Sequence, residues 1–145
     1  MVSDPNRCEA ECKPGTMALS PGDHMYSLDF GGMNRMYVLH VPPGYDGKKP
    51  VPLVFDLHGF SSNGPQQLSI SGFSEQADKN GFLVVAPTGY MNSWNGDIAF
   101  GAAFNAKLDD VGLMKAIRDH ISGMVNVDHS RVFSTGLSNG AAMSN

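Results

Sequence analysis

Three short apolar runs, separated by segments with helical character, constrain what this 145-residue chain can fold into. They read LVFDLHG at 53–59, FLVVAP at 82–87 and RVFSTG at 131–136. Runs that are short and apolar on both faces are typical of strands buried within a parallel sheet. Because parallel neighbours need helical crossovers, the alternation predicts an α/β fold with right-handed crossovers and helices on both faces of the sheet.

Two segments before these runs predict an antiparallel hairpin. Residues 24–30 alternate apolar and polar positions, as a half-buried strand does, and residues 35–41 are the predicted returning strand. Between them, Gly31 and Gly32 suit the positive φ angles of a hairpin turn. The proline-containing segment 42–52 is expected to form a loop, since proline is excluded from helix interiors and central strands.

The segment between the first two buried runs predicts a helix. It covers 65–80, opening near Pro65 and ending before Gly81. The candidate core contacts of this helix are Leu68, Phe73 and Ala77.

The Gly- and Asn-rich segment 88–107 is predicted to be a loop, longer than an ordinary connection.

A second helix is predicted over 108–125. Either Asp109 or Asp110 can cap its first turn, where a carboxylate also suits the helix dipole. Spacings of three and four residues predict one apolar stripe that faces the core. The stripe consists of Val111, Met114, Ile117, Ile121 and Met124.

Composition bounds the class of protein. Hydrophobic residues make up 41% and charged residues 17%, as in a globular domain rather than a disordered chain. The net charge of −4 argues against nucleic acid or an anionic membrane as the main partner, and no window reaches transmembrane length. No metal cluster, phosphate loop or nucleotide fingerprint is visible, so no cofactor is expected. We predict a flexible arm over 1–22 and one domain over 23–145.

The two cysteines, Cys8 and Cys12, lie in the predicted arm. Their spacing, without a second Cys or His pair, makes a poor zinc site. Free thiols stay open as an alternative to a disulfide, either between the two or with cysteines not present in this chain. The start of the chain lacks the apolar stretch of a signal peptide, which is compatible with a cytoplasmic protein, a mature form or a gene fragment.

The third buried run leads into a Gly-x-Ser-x-Gly motif, Gly136-Leu137-Ser138-Asn139-Gly140. Where a strand turns abruptly into a helix, the serine takes a strained backbone conformation and its hydroxyl stands clear at the carboxyl edge of the sheet. Side chains at the two glycines would collide with the neighbouring strand and helix. We predict that Ser138 is a nucleophile, with a structural Gly-Ser turn as the alternative.

The loop after the first buried run, DLHGFSSNG at 56–64, is expected to lie beside this turn. The backbone N–H of Phe60 and that of Asn139 are the predicted donors to a tetrahedral oxyanion. His58 is predicted to support the loop by hydrogen bonding rather than to act as a base.

The order of these motifs carries a resemblance to a known family. The matching segments read RMYVLHVPPGYDGKKPVPLVFDLHGF, GFLVVAPTGYMNSWNG and LDDVGLMKAIRDHISGMVNVDHSRVFSTGLSNGAAMS, and they fall within about residues 24–144. On these segments the chain resembles the α/β-hydrolase esterases of the polyhydroxybutyrate depolymerase and feruloyl esterase type. The resemblance implies a Ser–Asp–His triad, hydrolysis of carboxylic esters in polyesters or in feruloylated or acetylated polysaccharides, and export from the cell.

The resemblance also implies roles for single residues. Ser138 matches the family's nucleophile, and the loop around Trp94 is expected near the active-site entrance, where Trp94 and Asn95 are candidate substrate contacts. On chemical grounds Trp94, Tyr90 and Phe100 could offer a flat aromatic surface to a phenolic acid or a sugar, and could equally be core packing.

The chain departs from the family's pattern at two places. Family members often carry a Cys pair after the Trp-Asn segment, where this chain has Ala99 and Phe100, so that disulfide is missing. The residue after the His-Gly of the oxyanion loop is often Cys in the family and is Phe60 here. Phe60 still supplies a backbone N–H donor, but its larger side chain is expected to change the shape of the pocket relative to the family.

In this fold the acid and the histidine of the triad follow the nucleophile along the chain. No Asp, Glu or His follows Ser138, and Asp109 and Asp110 are expected to cap the helix or to order a loop rather than join a triad. By the resemblance, three strands would lie beyond the strand at 131–135, so we interpret the chain as the N-terminal half of the fold, with an incomplete sheet and no activity in isolation. The histidines, all expected to be surface, packing or loop-supporting residues, are His24, His40, His58, His120 and His129.

Other functions stay open on the sequence. A non-catalytic relative could keep the turn at Ser138 as part of a binding or interaction module, and acyltransferases and peptidases share the fold. The expected location is extracellular by the resemblance, with the cytoplasm as the alternative. Nothing in the sequence indicates an oligomeric state.

Overall fold

The structure, a computed structural model, describes residues 18–96 and 99–145. These residues form a sheet of five strands, which are β1 (Gly22–Phe30), β2 (Met33–Val41), β3 (Val51–Leu57), β4 (Leu83–Pro87) and β5 (Val127–Gly136). The strands lie in the order β1-β2-β4-β3-β5, with β3 parallel to β4 and β5, and β2 antiparallel to β1 and β4. The predicted hairpin and the predicted parallel strands are confirmed, and the carboxyl ends of β3, β4 and β5 share one edge of the sheet.

The helices of the described residues are α1 (Gly64–Ser71), α2 (Phe73–Asn80), α3 (Ala102–Asn105), α4 (Asp110–Ser122) and α5 (Asn139–Ser144). The single helix predicted over 65–80 is therefore wrong in one respect, because Gly72 separates α1 from α2 with φ +74°. A residue in the left-handed region cannot continue a right-handed helix, so the chain bends there. The predicted loop over 88–107 contains a short 3-10 turn at Tyr90–Asn92 as well as α3.

Helices cover both faces of the sheet, as neighbouring residues of β2 show. Tyr37 and Leu39 belong to the larger hydrophobic core together with Ile117 of α4. Val38 faces the opposite way, because side chains alternate along a strand, and it packs with Leu68 of α1 and Ala77 of α2. The predicted layering is confirmed, and so are these two helical residues as core contacts.

The buried face of α4 differs from the predicted stripe. Asp109 caps the helix, accepting a hydrogen bond from the Gly112 N–H at 2.8 Å. Asp110 turns inward, is 1% exposed and forms an ion pair with Arg35 at 3.2 Å. This pair sets the rotation of the helix, so the prediction that Val111 faces the core is wrong, and that residue is exposed. The buried residues of α4 are Asp110, Leu113, Ile117 and Ile121.

The boundaries of β3 also differ from the prediction. The strand begins at Val51 and includes Pro52, which was expected to lie in the preceding loop. The pairing with β5 shifts register between Val51 and Leu53, and a proline is tolerated at such an irregularity because it has no N–H to pair. The strand ends at Leu57, so the last two residues of the predicted run belong to the loop that follows.

Packing begins before residue 23, where the domain was predicted to start. Leu19 is 2% exposed and belongs to the larger core. The rest of the predicted arm, including Cys8 and Cys12, lies outside the described residues. None of the described helices is long and apolar enough to cross a membrane.

His40 of β2 links three elements through two carboxylates. One ring nitrogen hydrogen-bonds to Asp23 of β1 at 2.6 Å and the other to Asp78 of α2 at 2.9 Å. Burial lowers the pKa of His40, but the hydrogen bonds and negative charges of the two aspartates outweigh burial and raise the pKa above its ordinary value. With both nitrogens facing carboxylates, the ring is held as an imidazolium that donates two hydrogen bonds.

The stabilisation by His40 is expected to depend on pH. Because the pKa of His40 is raised in the folded state, the protonated ring stabilises the fold fully below the unfolded-state pKa of about 6.5, and this contribution is lost as pH rises through the folded-state pKa. His40→Gln should therefore lower the Tm of the full gene product more near about pH 6 than near about pH 8.5. Scanning calorimetry of His40→Gln, of wild type and of the exposed-site control His129→Gln measures this, and a Tm loss equal at both pH values would contradict it.

Candidate active site

The chain turns sharply between β5 and α5 at Ser138. This residue has φ +53° and ψ −113°, a left-handed conformation that costs a non-glycine residue about 1–3 kcal/mol. Ser138 is exposed, whereas Asn139 and Gly140, which follow it, are buried. A strained serine between a strand and a helix is the local geometry predicted for a nucleophile at the carboxyl edge of the sheet.

Two glycines permit this turn. A Cβ atom at Gly140 would lie 2.1 Å from the carbonyl oxygen of Leu57, and one at Gly136 would lie 2.4 Å from the carbonyl carbon of Gly140. The Leu137 N–H also donates to the Leu57 carbonyl at 3.0 Å, which ties the end of β5 to the end of β3. The predicted collision of side chains at the two glycine positions is confirmed.

The loop after β3 lies directly against Ser138. A Cβ atom at Gly59 would be 3.6 Å from the Cβ of Ser138, so residues 58–60 flank the hydroxyl-bearing residue. Among the hydrogen bonds of the described residues, neither the Phe60 N–H nor the Asn139 N–H is a donor. Two amides without an acceptor beside an exposed serine are what an oxyanion site requires, and the oxyanion role of both amides stays a prediction.

His58 is fully buried and serves as a support for this loop. Its Nε2 accepts a hydrogen bond from the Gly89 N–H at 2.9 Å, and its Nδ1–H donates to the Gly59 carbonyl at 2.7 Å. The pair of bonds requires a neutral ring with the proton on Nδ1. Burial lowers the pKa of His58, which keeps the ring neutral. The prediction that His58 supports the loop rather than acting as a base is confirmed.

The side chain of Trp94 is wholly buried, and the role of this residue as a substrate contact stays a prediction. Its indole N–H donates to the His58 carbonyl at 3.0 Å, and the two rings lie 4.8 Å apart. The side chain of Asn139 holds the Trp94 backbone, accepting from its N–H at 2.7 Å and donating to its carbonyl at 3.2 Å. Of the two alternatives, core packing applies to Trp94, and the part played by the Asn139 side chain had no signal in the sequence.

Asn95 orders the neighbouring loop. Its side-chain amide donates to the Leu108 carbonyl at 2.7 Å, and its backbone N–H donates to Asp110 at 2.8 Å. Asp110 also binds Arg35, so it joins β2 to this loop, as its predicted loop-ordering role requires. No contact of Asn95 distinguishes a substrate-binding role, which stays a prediction.

An exposed aromatic pair lies on the same loops. Phe60 is 46% and Phe100 49% exposed, and their ring centroids are 4.5 Å apart. Tyr90 is half-buried. Of the residues proposed as a flat aromatic surface, Phe100 is exposed, but its ring is tilted by 47° from that of Phe60, so the pair forms an apolar patch rather than a flat face.

None of the described His, Asp or Glu side chains hydrogen-bonds to the side chain of Ser138. His120 is bonded to the Tyr37 hydroxyl at 3.0 Å, His24 to a backbone carbonyl at 2.7 Å, and His129 lies at the opposite end of β5. The predicted surface and packing roles of these histidines are confirmed. Within the described ranges, no group of three or more His, Cys, Asp or Glu is arranged to hold a metal ion.

Replacing Gly140 by alanine should disrupt the turn. The new Cβ would overlap a backbone carbonyl that cannot move without breaking the β3–β5 ladder, so Gly140→Ala should cost more than about 3 kcal/mol of unfolding free energy. Gly44→Ala is the matched control, because nothing lies within 4 Å of its added Cβ, and it should cost less than about 0.5 kcal/mol. Urea unfolding followed by fluorescence of the buried Trp94 measures both; equal costs would contradict the steric argument.

Curated relatives of the chain are esterases, although no family model matches it. Feruloyl esterase C of Emericella nidulans is 31% identical over 138 residues, which cover 88% of this chain and 47% of the relative. A probable feruloyl esterase C of Aspergillus terreus is 32% identical over 117 residues, covering 76% of this chain and 39% of the relative. An acetylxylan esterase of Coprinopsis cinerea is 34% identical over 99 residues, covering 64% and 26%. The chain spans less than half the length of these relatives.

Solved structures share the arrangement of strands and helices. An acetyl xylan esterase from Aspergillus awamori matches with a TM-score of 0.63 and 24% identity, covering 84% of this chain and 45% of that one. A ferulic acid esterase from Anaeromyces mucronatus, solved with ferulic acid, matches with a TM-score of 0.61 and 18% identity, covering 97% and 57%. At these identities the likeness shows the fold. By sequence and fold together, the chain is a feruloyl esterase-like α/β-hydrolase that contains part of that fold.

Proposed function

We infer that the protein carrying this chain is a carboxylic ester hydrolase and that Ser138 is its nucleophile. The Ser138 oxygen attacks the ester carbonyl carbon while a general base takes its proton. The tetrahedral oxyanion accepts hydrogen bonds from the Phe60 and Asn139 amides. Its collapse expels the alcohol, which takes up the proton, and leaves an acyl-enzyme. Water then attacks the acyl-enzyme, releases the carboxylic acid and restores the Ser138 hydroxyl.

One observation carries this proposal: an exposed serine with a strained backbone stands beside two amides that have no acceptor among the described residues. Strain of this kind persists where the surrounding structure enforces it, and it is concentrated at functional sites. A purely structural Gly-Ser turn would not require Ser138 to be solvent-exposed with φ +53°. The geometry supports the nucleophile over the structural turn.

The base is not among the residues described around Ser138. All five histidines lie in the described part of the chain, and the hydrogen bonds of His40, His58 and His120 commit their rings to other partners. His24 and His129 lie on β1 and at the far end of β5, away from the turn. The proposed mechanism therefore takes its histidine and the acidic partner of that histidine from outside these 145 residues.

The substrate class that we propose is an ester of a plant cell-wall polysaccharide, with a feruloyl or acetyl group as the acyl part. The names of the curated relatives support this class over the polyesters that the sequence resemblance also allows. The exposed rings of Phe60 and Phe100, next to residues that flank Ser138, offer an apolar surface to an aryl group or a sugar face. Polymers of this kind lie outside cells, so we also propose an extracellular location.

The 145-residue chain alone is expected to be inactive. Without a base to take its proton, the Ser138 hydroxyl attacks esters poorly. Hydrolysis of p-nitrophenyl acetate by this chain should be no faster than hydrolysis by its Ser138→Ala variant. Serine-dependent turnover above that control would contradict the placement of the base outside the chain.

Removing the nucleophile from the full gene product should abolish ester hydrolysis. Ser138→Ala should lower kcat by at least about 10⁴-fold, since the residual rate comes from the oxyanion site and substrate binding alone. Release of ferulate from methyl ferulate, of acetate from acetylated xylan and of hydroxybutyrate from a polyester measures activity and substrate class. Ser130→Ala, on the exposed amino-terminal part of β5, is the control and should leave kcat unchanged. A Ser138→Ala enzyme within about tenfold of wild type would contradict the assignment.

A further inference from the structure

We propose that Asn139 and Trp94 are positioning residues that hold the two oxyanion amides at a fixed separation. A buried chain of hydrogen bonds runs from the Asn139 side chain through Trp94 and His58 to the peptide that contains the Phe60 N–H. Its catalytic consequence rests on the proposed function, whereas its structural consequence does not.

The first link is a two-point contact between Asn139 and the backbone of Trp94. The Asn139 Oδ1 accepts from the Trp94 N–H at 2.7 Å, and the Asn139 Nδ2 donates to the Trp94 carbonyl at 3.2 Å. Because the amide oxygen only accepts and the amide nitrogen only donates, the pair fixes the orientation of the side chain. Asn139 is 2% and Trp94 0% exposed, so water does not compete for these bonds. The residue that supplies one oxyanion amide is thereby fastened to a loop 45 residues away.

The second link joins Trp94 to the loop after β3. The indole N–H donates to the His58 carbonyl at 3.0 Å, and the His58 ring packs against the indole. The same ring uses its other contacts within the loops, accepting from the Gly89 N–H and donating to the Gly59 carbonyl. Every polar atom of the Trp94 and His58 side chains is satisfied, which makes a buried network rigid.

The last link is covalent. The Gly59 carbonyl and the Phe60 N–H belong to one planar peptide unit, in which they point in opposite directions. The 2.7 Å bond from His58 Nδ1–H to the Gly59 carbonyl therefore sets the direction of the Phe60 N–H. Rotation of this peptide would break that bond and the 3.2 Å bond from the Ser62 N–H to the same carbonyl.

The network matters for catalysis because oxyanion stabilisation depends steeply on distance. Donors act at about 2.7–3.1 Å from the developing oxyanion, and a misplacement of about 1 Å costs about a hundredfold in rate. The Phe60 and Asn139 amides lie on different loops, and no described hydrogen bond joins them directly. The path through Trp94 and His58 adds a second constraint to the bond from the Leu137 N–H to the Leu57 carbonyl, and it does so without a charged group.

Trp94→Phe in the full gene product tests the proposal, because it keeps a buried aromatic ring and removes the indole donor, together with part of the ring volume at this buried site. We expect kcat to fall by about ten- to a hundredfold with KM within about twofold of wild type. Asn139→Leu, which removes both bonds to Trp94, should give a similar or larger loss of kcat. Tyr37→Phe is the matched control: it deletes a buried hydrogen bond, at 3.0 Å to His120, on the α4 side of β2. Tyr37→Phe should lower Tm but leave kcat within about twofold.

Nuclear magnetic resonance supplies a readout that does not depend on activity. In Trp94→Phe, exchange of the His58 Nδ1–H with water should be at least about tenfold faster, and the Phe60 amide resonance should shift, whereas Tyr37→Phe should change neither. An unchanged Phe60 amide in Trp94→Phe overturns the proposal whether or not the wild type hydrolyses esters. An altered amide with kcat unchanged overturns the catalytic consequence. A wild type without esterase activity contradicts the proposed function, and the resonance experiment still decides the network.

Discussion

The close approach of the backbone at Gly140 to the carbonyl of Leu57 is the constraint on which the site depends. It brings the first turn of α5 against the end of β3 and leaves no room for a side chain at residue 140. The chain makes this approach by passing through a left-handed residue, and that residue is Ser138. The loop that continues from Leu57 must then run beside the turn, which is why Gly59 meets Ser138. One steric contact thus determines both the exposure of the hydroxyl and the location of its neighbours.

Two histidines show how differently the fold treats the same side chain. His40 of β2 lies between Asp23 of β1 and Asp78 of α2 and is stabilised as a cation. His58, beneath the site, is neutral, because one nitrogen accepts from the Gly89 N–H and burial disfavours a charge. Acidification therefore favours the protonated His40 between its two aspartates and opposes the neutral state of His58.

Short-range patterns carried the correct predictions, and long-range contacts caused the errors. Strand alternation and the Gly-x-Ser-x-Gly turn depend on adjacent residues, so both could be predicted from the sequence. The phase of α4 depends on a pair between Asp110 and Arg35, 75 residues apart, and the burial of Trp94 depends on Asn139, 45 residues away. The helix break at Gly72 was likewise not predictable from adjacent residues. A lone glycine is often tolerated within a helix, and packing against the rest of the fold decides whether the helix ends there.

The ring contact between Phe60 and Phe100 fastens the loop after β3 to the long loop after β4 at positions where the resembled family often has cysteine. No cysteine occurs in this chain after Cys12. At this point the two loops meet through van der Waals contact between the rings, in addition to the hydrogen bonds that join His58 to Trp94 and Gly89, and there is no disulfide for thiol exchange to cleave. The exposed ring contact can open and reclose as fast as side chains move, whereas the buried hydrogen bonds beneath it keep the two loops together.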